Sequence, residues 1–112
     1  RGNDPTEPWL EHVISADGGF YMSLDVGDID RDGDPDVVVG EHSPVDPDEG
    51  RVLVFQNLGK GRRWAPVVVD EGLEHHDGTR LADLDRDGDL DIVSIGWTHG
   101  KTVVYENLAL PR

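Results

Sequence analysis

An acidic nonamer that occurs twice constrains this chain more than anything else in it. Asp28–Asp36 reads D-I-D-R-D-G-D-P-D, and Asp83–Asp91, 55 residues later, reads D-L-D-R-D-G-D-L-D. Five aspartates in nine residues repel one another strongly unless a cation sits among them. A hard divalent cation takes roughly six to eight oxygen ligands, and a glycine at position 6 permits the sharp turn that folds carboxylates inward. The pattern therefore predicts two Ca²⁺ per chain. The expected side-chain ligands are Asp28, Asp30, Asp32 and Asp36, with the carbonyl of Asp34. Asp83, Asp85, Asp87, Asp91 and the carbonyl of Asp89 repeat the set. The side chains of Asp34 and Asp89 are expected to face solvent or to brace the loop.

The residues after each nonamer decide what kind of loop this is. An EF-hand carries a bidentate Glu at position 12 and is flanked by helices. Here position 12 is Val39 or Ser94, within the β-branched runs V-V-V-G and I-V-S-I-G, so each loop joins strand to strand. The repeat extends beyond the loops: at the offset of 55, Trp9 matches Trp64, Val13 matches Val68 and Arg31 matches Arg86. Past the loops the offset is 50, so that Val54 matches Val104 and Asn57-Leu58 matches Asn107-Leu108. The five extra residues fall in the Pro- and acid-rich stretch Glu41–Gly50.

Such a period, holding several short strands, is that of a propeller blade. The predicted fold is all-β, with about two blades of four antiparallel strands. Strand A is read at Tyr21–Gly27 and Asp77–Ala82, and strand B at Asp36–Glu41 and Asp91–Trp97. Strand C is read at Arg51–Gln56 and Lys101–Glu106, and strand D at Trp9–Ser15 and Trp64–Asp70. Pro66 suits an edge strand, because proline cannot donate to a ladder. Trp9 and Trp64 are expected to pack within strand D. Asn57 and Asn107 are expected to turn the chain through side-chain-to-backbone hydrogen bonds. No stretch holds a helical period. The expected organisation is a tail at 1–8, a lone strand D plus a whole blade over 9–70, strands A to C of a second blade over 71–108, and a tail at 109–112.

The nonamers and the V-x-V-[FY]-x-N-L endings resemble the FG-GAP and VCBS repeat family, the calcium-binding blades of integrin-α-like propellers and of many secreted bacterial proteins. The resemblance covers about residues 9–108. It implies a calcium loop between strands A and B, where the strand reading also puts it. The Phe-Gly…Gly-Ala-Pro stretch that names the family is missing, which points toward the VCBS-like branch.

Propellers have about four to eight blades, and fewer than three repeats rarely bury a continuous core. This chain holds two, out of phase. Either missing blades belong to a longer chain, or three or four copies close a ring head to tail, each orphan strand D completing a neighbour's A-B-C sheet. The formal charge of −14 disfavours nucleic acid and anionic membranes, and two bound Ca²⁺ leave it at −10. The absence of cysteine leaves the redox compartment open. Modest-affinity calcium loops suit an extracellular or periplasmic location. No signal peptide, lipidation signal or membrane-spanning run is read, and a start at Arg1 without Met looks processed or excised.

The connections on the side away from the loops carry Tyr21, His42, His75, His76, Trp97 and His99. Aromatic and polar side chains together suit a carbohydrate ligand, whereas the plainer reading makes them rim and packing residues. A His75-His76-Asp77 metal or acid–base site is disfavoured, since adjacent strand residues point to opposite faces. The favoured function is a calcium-stabilised module for binding, adhesion or scaffolding, without catalysis. The alternatives are a propeller domain of a secreted polysaccharide-degrading, lyase-like enzyme and a designed or excised repeat unit.

Overall fold

The computed structural model describes residues 8–16, 19–42, 49–75, 78–97 and 99–108. Alternating and β-branched runs form seven strands: β1 (Tyr21–Gly27), β2 (Asp36–Glu41), β3 (Arg51–Asn57), β4 (Trp64–Glu71), β5 (Gly78–Ala82), β6 (Asp91–Ile95) and β7 (Thr102–Tyr105). They make a four-stranded sheet in the order β1-β2-β3-β4 and a three-stranded sheet in the order β5-β6-β7. All pairings are antiparallel between sequence neighbours, so each sheet is a meander, as a propeller blade requires. There is no α-helix among the described residues.

The expected strands stand to within a residue or two, the usual uncertainty of an end. Pro66 lies opposite Phe55 in β4, an outer strand, where its missing N–H leaves no ladder bond open. One expectation is corrected. Trp9–Ser15, read as a strand D, makes no strand in this chain. Its expected partner is the strand C of another blade, and no strand among the described residues pairs with it. Of this segment Ile14 packs on the first blade, while Trp9 is 84% exposed and so is not the packing residue expected. Trp64 does pack, half-buried, and its indole N–H donates to Gly61 O at 3.1 Å.

The first blade has an apolar cluster on each face, because β2 and β3 are apolar at successive positions. Val38, Val52 and Val54 face the second blade and close on Ile92, with Leu81 and Tyr105 packed against them. Val39, Leu53 and Phe55 form the other cluster, with Tyr21, Trp64 and Ile14 around it. Polar contacts then fix the two blades together at their inner strands. Leu81 N donates to Asp25 Oδ2 at 2.9 Å, and Ser23 Oγ donates to Thr79 Oγ1 at 3.0 Å. At the outer side Tyr105 Oη donates to Asp70 Oδ2 at 2.9 Å. Burial and this bond to a carboxylate push the Tyr105 phenol well above its usual pKa.

Candidate metal centres and the opposite face

Each nonamer links the end of an inner strand to the next strand, β1 to β2 and β5 to β6. Both loops bend through the left-handed region twice, at Arg31 (φ 61°) and Gly33 (φ 97°), and at Arg86 (φ 62°) and Gly88 (φ 93°). The turn brings backbone N–H groups onto the carboxylates in the same way in both copies. Asp28 accepts from Asp32 N at 3.1 Å and Gly33 N at 2.9 Å, and Asp83 accepts from Asp87 N and Gly88 N at the same distances. Position 9 is fully buried. Asp36 accepts from Ile29 N (2.9 Å) and Asn57 N (2.8 Å), and Asp91 from Leu84 N (3.1 Å) and Asn107 N (2.8 Å).

These bonds leave the carboxyls of positions 1, 3 and 9 converging. Ligand oxygens of Asp28, Asp30 and Asp36 all lie within 4.8 Å of one another, and so do those of Asp83, Asp85 and Asp91. Asp32 and Asp87 at position 5 stand outside these triads, their Oδ1 atoms accepting from Asp34 N and Asp89 N at 2.9 Å. Asp30 lies against both Asp32 and Asp36. Burial, the Asp32 contact and the Asp36 charge raise it to about pKa 6. Asp85 is raised for the same kinds of reason, burial first and then Asp87. An all-oxygen donor set in which the position-3 carboxyl is raised by burial and its acidic neighbours fits a hard divalent cation, since the cation's charge reverses that repulsion.

The side chains at position 7 are not alike. Asp34 is half-buried, but Asp89 is 1% exposed and lies 3.4 Å from Arg31 Nη1 of the other loop. So Asp89 braces, and it does so between blades. Asn107 adds a second link: its Nδ2 donates to Ile29 O (3.3 Å) in the first loop and Leu90 O (3.2 Å) in its own. The first-blade counterpart, Asn57, donates to Pro35 O at 3.2 Å and accepts from Gly59 N and Gly61 N, making the expected turn.

At the other end of the blades a polar cluster forms around Glu74, which is fully buried. Its carboxylate takes the Trp97 N–H and sits 3.4 Å from His42 Nδ1, while its carbonyl lies 2.9 Å from His99 Nε2. Next to it, His75 is 1% exposed, with Nδ1 2.6 Å from Ser94 Oγ and its N–H on Glu41 O at 2.9 Å. Burial, then the neighbouring His99, lowers the His75 pKa, against the smaller pulls of Glu74 and Asp70. Gly40 lies beneath this network, where a Cβ would collide with Thr79 Oγ1, Ser23 Oγ and His75 Cβ. Of the six residues expected on this side, His42, His75, Trp97 and His99 are brought together. Tyr21 instead packs edge-on against Phe55 with ring centroids 6.0 Å apart. His76 lies outside the described residues. Glu74 was missed because its sequence context, E-G-L-E-H-H, marks it only as one of 24 acids.

Comparison with known proteins agrees with this architecture. The family model described as the FG-GAP repeat matches residues 20–55, which span β1, the first acidic loop, β2 and most of β3. Human integrin alpha-6 is 35% identical over 97 residues, covering 83% of this chain and 8% of that protein. The chain belongs to the FG-GAP-type repeat family. The family model that matches is that of a repeat module. The match is to the FG-GAP model, and the VCBS-like branch rests only on the missing Phe-Gly…Gly-Ala-Pro stretch. No solved structure matches.

Proposed function

We propose that this chain is a calcium-stabilised FG-GAP propeller module, working outside the cell or at its surface in binding or adhesion, with two Ca²⁺ per chain. The observation that carries the reading is the pair of preformed loops, in which the same backbone N–H groups hold the same carboxylates around two converging triads. Asp28, Asp30 and Asp36 would hold one ion, and Asp83, Asp85 and Asp91 the other. The carbonyls of Asp34 and Asp89, the carboxyls of Asp32 and Asp87, and water would fill the remaining positions. The cation supplies charge neutralisation and cross-linking of the loop, not chemistry. The likeness to integrin alpha-6 supports the extracellular setting, over the 8% of that protein that matches.

Calorimetric titration with Ca²⁺ tests this directly and should give two sites per chain. Mg²⁺ should compete poorly, because it demands tight octahedral geometry and dehydrates reluctantly. Fewer than two calcium sites would overturn the stoichiometry, and no effect of calcium on the melting curve would overturn the stabilising role.

A carbohydrate ligand on the opposite face is supported by one observation. Trp97 is 70% exposed, next to the Glu74 and His99 cluster. Its indole offers a flat apolar surface beside polar groups, as sugar rings require. A glycan array with wild type and Trp97→Ala reads this out, and binding unchanged by the substitution would sink it.

A further inference from the structure

Acid is spread along this chain except in one stretch. Residues 51–69 hold four of the 10 lysines and arginines and none of the 24 aspartates and glutamates. They make up β3, the turn after it and most of β4, so the outer hairpin of the first blade is cationic on a chain of net charge −14. Arg51 is neutralised where it stands, its Nε and Nη2 donating to the Glu41 carboxylate at 2.7 and 2.8 Å. The other three, Lys60, Arg62 and Arg63, sit together on the turn, and all three are exposed. None of them meets a carboxylate among the described residues, although Arg31 of the first acidic loop reaches one. Three adjacent like charges repel, and in a chain with acid to spare that repulsion is left standing.

The turn holds these cations in a defined shape. Leu58 N donates to Arg63 O at 2.7 Å and Arg62 N to Gly59 O at 2.9 Å, which closes the hairpin. Asn57 Oδ1 accepts from Gly59 N at 3.2 Å and Gly61 N at 2.8 Å, and the Trp64 indole N–H donates to Gly61 O from the other side. Arg63 folds back across the turn, its Nη2 3.4 Å from Leu58 O. Lys60 has φ 52°, in the left-handed region where glycine or asparagine is the ordinary choice. The backbone accepts strain there to carry a cation, and such strain concentrates in segments that bind something.

The chemistry of the turn narrows the partner. A clustered Lys/Arg segment reads as a polyanion site. An arginine fork takes a sulfate or carboxylate through two parallel N–H bonds, and a lysine adds a point charge. A flat anionic partner is disfavoured by position. Asn57 ties the turn to the first nonamer, its N–H on Asp36 Oδ1 at 2.8 Å and its Nδ2 on Pro35 O at 3.2 Å, so a bilayer or duplex laid on that end would meet the aspartates. Single-stranded nucleic acid needs exposed aromatic faces for its bases, and Trp64, which follows the turn, is half-buried against the blade core. A narrow, linear anionic chain can follow the outer edge and reach the cations without crossing the loop.

We propose that the turn 58–63 is a binding site for a sulfated polysaccharide, held by Lys60, Arg62 and Arg63. The site goes beyond the calcium module, and only the choice of ligand rests on the extracellular setting of that reading. It lies at the opposite end of the blades from Trp97 and works independently of it.

Heparin serves as the sulfated probe, with calcium present at low salt, and chemically desulfated heparin is its control. The chain should bind heparin and bind the desulfated form far more weakly. The combined variant Lys60→Ala, Arg62→Ala, Arg63→Ala should bind heparin roughly tenfold or more weakly, with its melting temperature unchanged. Log affinity should fall with log salt at a slope of about −2, as for three charges on a single-stranded polyanion. Lys60→Gly relieves the left-handed strain and so guards against a folding artefact: it should melt no lower than wild type yet bind more weakly. Trp97→Ala should bind heparin as wild type does. The proposal is overturned by a combined variant that binds as tightly as wild type, or by a chain that does not bind heparin. It is equally overturned if, at equal charge, phosphatidylserine vesicles, an oligothymidylate or polyglutamate bind in preference. Calcium titration keeps the two readings apart. Two bound ions without heparin binding overturn this site alone, and heparin binding that depends on the three cations with fewer than two bound ions overturns the calcium stoichiometry alone.

Discussion

Aspartates 30 and 36 belong to one triad, yet removing them should have opposite effects on the calcium-free protein. Asp36 is fully buried and accepts two backbone N–H bonds, from Ile29 at 2.9 Å and Asn57 at 2.8 Å. Asp36→Ala strands both donors. An unsatisfied buried donor costs about 1–3 kcal/mol, so the loss is about 2–6 kcal/mol in chelator, and in calcium the site is forfeited as well. Asp30 accepts from Asp32 N at a long 3.3 Å, and is raised to about pKa 6 by burial and by Asp32 and Asp36. A carboxyl whose folded pKa lies above its unfolded value disfavours the folded state once ionised. That penalty is present above about pH 6 and fades as pH falls toward the ordinary value. In chelator at pH 7, Asp30→Ala should therefore leave stability unchanged or raise it. In calcium it should forfeit one site, about 2.7 kcal/mol at a hundredfold excess over Kd. Urea unfolding of both variants, each with calcium and with chelator, reads all four values. Equal losses for the two variants in chelator would refute the division of labour, as would an Asp36→Ala chain as stable as wild type there. Asp85 and Asp91 should repeat the contrast in the second loop.

The His75 imidazole is held below its ordinary pKa, so the folded state favours its neutral form. Its contribution should be whole above about pH 6.5 and lost as pH falls through the folded value, and His75→Gln in chelator should flatten that part of the stability–pH curve. Gly40→Ala should cost about 1–3 kcal/mol or more, because the packed Ser23, Thr79 and His75 leave no room for a methyl group, and a melt within a degree of wild type would contradict this. Tyr105→Phe removes a hydrogen bond to a carboxylate between the blades and should cost about 1.5–3 kcal/mol by urea unfolding.

The sequence carried the loops because their chemistry is local. Ligand spacing, the turning glycine and the strands that follow lie within a dozen residues, and two copies make the pattern hard to misread. It did not show that Asp32 and Asp87 serve the backbone while positions 1, 3 and 9 converge, since that depends on how the left-handed turns at Arg31 and Arg86 aim each carboxyl. Tyr21 was misplaced because the pairing of β1 with β2 shifts between Tyr21 and Ser23, and an irregularity there changes which face a side chain takes. Residues 9–15 carry the right strand pattern. Pattern alone cannot say whether an edge stands beside them, and among the described residues none does.

The two ends of the blades solve one problem, buried negative charge, by different means. Around Glu74 the solution is internal: the Trp97 N–H and His42 meet the carboxylate, and His99 meets the carbonyl, within the protein. Trp97 and His99 come from the connection after β6 and His42 from the end of β2, so the cluster ties both blades together. At the loops the backbone satisfies only part of each carboxyl. The remaining oxygens are left facing one another, and Asp30 registers that in its raised pKa. Arg31 reaches from the first loop to the buried Asp89 of the second, outside both triads. On the proposed reading the loop end takes up an external cation, whereas the Glu74 carboxylate already has partners within the protein. Calcium bound as proposed would act at the end where the inter-blade ion pair and the Asn107 bond to Ile29 O also lie, so its expected consequence is a firmer joint between blades.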